Sequence, residues 1–144
     1  MSLESIVEVL GGEENIGRNV HGRGDYIKVF REGRISVRGL KVLQRKVRLT
    51  NVRMASILHI SESKYQRIKQ QDMLGKAESD AVYNVSKVYA KGMEVLGDEE
   101  DLNRWLNTEN QALGNEKPID WLDSSIGREQ LMNVLTAIEY GHYS

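Results

Sequence analysis

The side chains best placed to do chemistry lie between residues 34 and 71, where ten basic residues face a single acid, Glu62. On a helix expected after Ser61, the exposed positions include Ser63, Lys64, Gln66 and Arg67. These types carry directed donors and acceptors that suit the edges of bases in a major groove. Arg45, Lys46, Arg48, Arg53 and Lys69 are better suited to phosphate oxygens, which give affinity and steep salt dependence without reading sequence. From residue 98 to 144 the sign reverses, with ten acids against Arg104, Lys117 and Arg128. Such halves predict two surfaces with different partners, the basic one for a polyanion. The blander alternative is two solvated faces that merely differ.

Catalytic chemistry has little to stand on. His21, His59 and His142 are far apart, and none has a neighbour at metal-ligand spacing. The chain has no nucleophile elbow, phosphate loop or H-x-x-x-H pair. Gly22-Arg23-Gly24 lacks the third glycine and the preceding strand of a dinucleotide fingerprint. Arg23-Gly24-Asp25 spells an adhesion tripeptide that a cytoplasmic protein would not display. Without cysteine there is no disulfide or thiolate metal site, which fits a reducing compartment. The N-terminus lacks a basic n-region, and no apolar run approaches membrane-span length. The expectation is a cytoplasmic binding protein, not an enzyme, with no cofactor and no membrane contact.

The elements that must position these residues are all helical. Leu3, Ile6, Val7 and Leu10 form one stripe on a short helix ended by Gly11-Gly12. A helix this short needs its stripe packed on the body or on a second copy. Residues 12–24, with four glycines, read as a loop or hinge. Asp25–Glu32 puts Tyr26, Val29 and Phe30 on one helical face, a short strand being the runner-up. Val37, Leu40, Leu43 and Val47 mark another helix. Thr50 and Ser61 are N-cap residues for a helix pair whose turn falls at His59-Ile60. Around a small pivot, Ala55, the inward positions are Met54, Leu58, Ile60, Tyr65 and Ile68, the burial pattern of a DNA-binding helix-turn-helix. His59 stands where glycine is usual; the alternative is a helical hairpin that only packs. Glu78–Leu96 is the longest predicted helix, and Asp98–Asp101 open the next, which carries Leu102, Trp105 and Leu106. Pro118 begins a single turn bearing Ile119, Trp121 and Leu122, and Ser124 or Ser125 caps a last helix ended by Gly141. The fold class is all-α, a small helical bundle. Trp105 is expected in the core, and Trp121 in a partner contact.

The stretch from about Glu78 to Gly141 resembles the toxin-binding domain of Xre/MbcA/ParS-type antitoxins. The carriers are Arg104-Trp105-Leu106, Thr108-Glu109-Asn110, Ala112-Leu113-Gly114, Pro118-Ile119-Asp120 and Ile138-Glu139-Tyr140-Gly141. Glu109 stands where the family has proline, Asn115 in place of its second glycine, and Trp121 in place of the first of two leucines. Leu10-Gly11-Gly12 and Asp25–Gly33 look like the family's N-terminal region, and Thr50–Gln71 like its Xre-like helix-turn-helix.

The resemblance implies a type II antitoxin whose partner is a RES-domain toxin, similar to ADP-ribosylating enzymes and depleting cellular NAD. Such antitoxins neutralise by direct contact near the toxin's active site, and they repress their own operon. Carried onto this sequence, the toxin contact would use Asn110, Trp121, Tyr140, Gly141, His142 and Tyr143. The expected division is an N-terminal helical arm at 1–34 that could meet a second copy, a DNA-binding region at 35–76 and a toxin-binding domain at 77–144. Operator binding by so small a module implies a palindromic site and a homodimer within a larger toxin–antitoxin complex. The competing reading is a stand-alone transcription regulator whose C-terminal part only dimerises.

Overall fold

A computed structural model describes residues 2–141. Among them the chain forms eight α-helices, joined by loops and three short 3-10 turns, with no strand. It is all-α, as the periodicities require. Contacts divide it into two compact units, residues 1–87 and 88–144. The charge divides at the same place: the first unit has sixteen basic and ten acidic residues, the second four and eleven.

The first unit holds α1 (Leu3–Val9), α2 (Arg23–Glu32), α3 (Val37–Val47), α4 (Asn51–Ile57), α5 (Glu62–Ile68) and the opening turns of α6 (Lys76–Leu96). Side-chain oxygens of Ser2, Ser36, Thr50 and Ser61 cap α1, α3, α4 and α5, each such cap being worth about 1 kcal/mol. Residues 12–24 are not a bare loop. A 3-10 turn at Glu13–Asn15 and the buried side chains of Ile16 and Val20 pack this segment into the core. The Asp25 region is helical rather than extended, starting at Arg23 and stopping where Gly33 adopts φ +66°. The α1 stripe is spent inside the unit, since Ile6, Val7 and Leu10 are all buried. With Leu40, Leu43, Met54 and Tyr65 they form the core on which α4 and α5 sit.

The segment entering α3 is tied to the segment leaving α5. Val37 N–H donates to the Asp72 carbonyl (2.9 Å) and Leu74 N–H to that of Ile35 (2.8 Å). Ile35 N–H donates to the buried Ser79 hydroxyl at 2.9 Å. These bonds satisfy backbone groups that burial would otherwise leave unpaired.

The second unit holds the rest of α6, then α7 (Glu99–Leu106), 3-10 turns at Gln111–Leu113 and Pro118–Trp121, and α8 (Ser125–Glu139). Asp98 caps α7 and Ser124 caps α8. Leu102, Leu106, Leu122, Leu131 and Leu135 form its core. Lys91 Nζ meets Glu139 Oε1 at 2.7 Å, a largely shielded pair joining α6 to α8. The Pro118 turn lies so close to α8 that a Cβ on Gly127 would stand 2.2 Å from the Trp121 carbonyl oxygen. Only glycine fits there.

Candidate functional site

The helix pair α4–α5 is built around its turn. Ile60 N–H donates to the Ala55 carbonyl at 3.0 Å, which requires His59 to take φ +58°. Met54, Ala55, Leu58, Tyr65 and Ile68 are buried and Ile60 is half-buried, the inward set that the spacing predicts. A polar network beneath the pair was not legible in the sequence. The Tyr65 hydroxyl donates to Gln44 Oε1, while Gln44 Nε2 donates to the Leu49 carbonyl (3.0 Å) and to Asn51 Oδ1 (2.9 Å). Burial pushes the Tyr65 hydroxyl up to about 12, so it remains a donor at any ordinary pH. Lys69 Nζ donates to the same Asn51 oxygen at 3.1 Å and lies 5.4 Å from the centre of the Tyr65 ring. α3, α4 and α5 are therefore locked together by satisfied side chains, which fixes the angle at which α5 is presented.

Ser63, Lys64, Gln66 and Arg67 all stand exposed on α5. Arg45 is exposed near the end of α3, Arg48 at its left-handed C-cap (φ +59°), and Arg53 on α4. Lys46 has a different setting. It is half-buried, and its ammonium donates to the Glu8 carbonyl at 2.9 Å, bracing α1. The structure adds cations that sequence reasoning left out. A cleft of about 640 Å³ brings Arg18, Arg38 and Lys41 together with Lys69, Gln70 and Gln71. Arg18 comes from the glycine-rich segment, and no helical periodicity pointed from there to α5.

In the second unit, Asn110 works inside its own loop. Its Oδ1 accepts from Ala112 N–H (2.9 Å), and its N–H donates to the Glu116 carbonyl (2.9 Å). Trp121 is half-buried, with its indole N–H on Glu116 Oε2 at 3.2 Å. Trp105 is likewise half-buried rather than wholly internal. Tyr140 is 70 % exposed, and Gly141 follows it at φ +74°. His142 and Tyr143 lie outside the described residues. Ile126, 63 % exposed, was missed. It stands fourteen residues before Tyr140, the C-cap of α8, so with Asn133 midway between them the three lie along one side, because seven residues make nearly two turns. Arg128 holds the base of this helix, donating to the Leu122 carbonyl at 2.8 Å. Desolvation lowers its pKa, and the Asp123 carboxylate opposes that shift.

No group of His, Cys, Asp and Glu suited to a metal ion occurs among the described residues, and no helix there is long and apolar enough to cross a membrane. Residues 91–141 match the family model described as the antitoxin Xre/MbcA/ParS C-terminal toxin-binding domain. That range lies wholly within the second unit. The C-terminal unit is thus similar to a toxin-binding domain, which supports an antitoxin role. No curated protein matches the chain.

Proposed function

We propose that this protein is a cytoplasmic, non-enzymatic antitoxin that neutralises a RES-domain, NAD-depleting toxin by direct contact near its active site and represses its own operon through α4–α5. The observation that carries the first half is the match of residues 91–141 to a toxin-binding domain. The exposed α8 face of Ile126, Asn133 and Tyr140 offers that domain a contact: two large apolar groups flank a polar one on a helix the core already holds rigid. Anchors of this kind give most of the affinity in protein interfaces. Trp121 and Gly141 border the same helix, and His142 and Tyr143 follow it in sequence. In this reading residues 77–144 form the toxin-binding part.

The second half rests on the helix pair of residues 35–76, whose exposed side is cationic and amide-bearing. Ser63, Lys64, Gln66 and Arg67 read bases, while Arg45, Arg48, Arg53 and Lys69 hold phosphates. Two copies on a palindromic operator give enough contacts for specific binding.

Co-expression with the product of the adjacent gene tests the proposal. The expected result is that the neighbour alone arrests growth and lowers cellular NAD, that this chain restores growth, and that the two co-purify. A harmless neighbour that does not co-purify would overturn the antitoxin reading and leave a stand-alone regulator with a C-terminal dimerisation domain.

A further inference from the structure

We infer that the cleft between the start of α3 and the end of α5 is a binding track for the sugar-phosphate backbone of duplex DNA, using Arg18, Arg38, Lys41 and Lys69. This rests on the reading of α4–α5 as a DNA-binding pair and extends it to residues outside that pair.

Four cations from three separate segments line this cleft. Arg18 comes from the glycine-rich segment, Arg38 and Lys41 from the first turns of α3, and Lys69 from the end of α5. Two of them are pre-set. Asn51 and the Tyr65 ring hold Lys69, and Arg38 donates to the Glu14 carbonyl through one guanidinium nitrogen. Among the described residues, no ion-pair or hydrogen-bond partner engages Arg18 or Lys41. Asp72 is the one acid on the wall, so the cations there outnumber it four to one. Concentrated like charge of this kind destabilises a fold unless an anion answers it. The amides of Gln70 and Gln71 add neutral donors on the same wall.

The position selects the anion. The cleft opens where α5 ends, so a duplex whose major groove received Lys64 and Arg67 would bring a backbone strand beside Lys69 and the cleft. Contacts to that strand would set the register of α5 without reading sequence.

The test is a titration of the full-length protein with the duplex upstream of its own gene and with a scrambled duplex, over a series of salt concentrations. Arg18→Ala/Lys41→Ala should weaken binding to both duplexes alike, by roughly tenfold or more near 0.1 M salt. It should also shallow the log K against log salt slope by about 1.8, the loss of two phosphate contacts. Lys64→Ala/Arg67→Ala should instead erase the preference for the native duplex. If the cleft variant keeps both affinity and slope while the α5 variant loses preference, the track is wrong and the helix-pair reading stands. If the wild-type protein binds neither duplex, both fall together. Circular dichroism on each variant separates lost contacts from lost folding.

Discussion

His59 and Glu13 show how single side chains set the first unit. His59 occupies the left-handed region at φ +58°, where a non-glycine residue is strained by about 1–3 kcal/mol. His59→Gly should remove that strain and recover up to about 1 kcal/mol, part of the relief being offset by the freer unfolded chain. A higher urea midpoint is the expected reading. Glu13 accepts from Gly22 N–H (2.8 Å) and from the Tyr26 hydroxyl (2.7 Å). Those bonds hold its carboxyl below the usual 4.5, the Gly22 amide contributing most, and the hydrogen bond to Glu13, followed by burial and the carboxylate's charge, pushes Tyr26 up to about 12. Because the folded pKa is depressed, this stabilisation is present above the unfolded value and fades as pH falls through the folded one. Glu13→Gln should therefore lower the urea midpoint near pH 7, and the gap to wild type should narrow as the pH falls through the folded pKa. Glu13 was invisible as a partner in the sequence, because the bonds that define it come from a loop nine residues on and a helix thirteen on.

Helices and caps were the readable scale. Thr50, Ser61 and Asp98 cap the helices they precede, and Ala55 is buried, because caps and apolar spacing are local signals. The grouping of Arg18, Arg38 and Lys41 beside Lys69 and the Gln44–Tyr65–Asn51 network were not readable, since long-range polar pairing leaves no period. Ile126 was missed for a related reason: an apolar residue in the first turn of α8 looks like core until the opposite face is seen to fill it. Gly127 and Ile126, adjacent in sequence, should separate cleanly. Gly127→Ala drives a Cβ into the Trp121 carbonyl and should cost about 3 kcal/mol, the upper end for overpacking, read as a lower thermal midpoint. Ile126→Asp and Tyr140→Ala remove exposed groups, so they should leave that midpoint within about 0.5 kcal/mol of wild type. On the toxin, by contrast, Tyr140→Ala should cost about 2 kcal/mol or more if it is an anchor, measured by calorimetric titration.

At the scale of the whole molecule, the chain is nearly neutral only in sum. Each half has a strong sign, and the sign changes where the contacts divide, at residue 87. Exposed ion pairs are worth little, and Arg104–Asp101 stands open to water, whereas Lys91–Glu139 is shielded. The unmatched surplus of each half therefore remains available to other molecules. A net charge of −1 leaves almost no mutual repulsion between copies, while basic and acidic faces attract one another across a dilute buffer. Stocks of the isolated protein should turn cloudy near neutral pH at low ionic strength. They should clear as salt approaches about 0.3 M, where screening shortens the reach of each face to a few ångströms. Light scattering against salt would display this salting-in directly, and a saturating duplex that covers the basic half should abolish it without added salt.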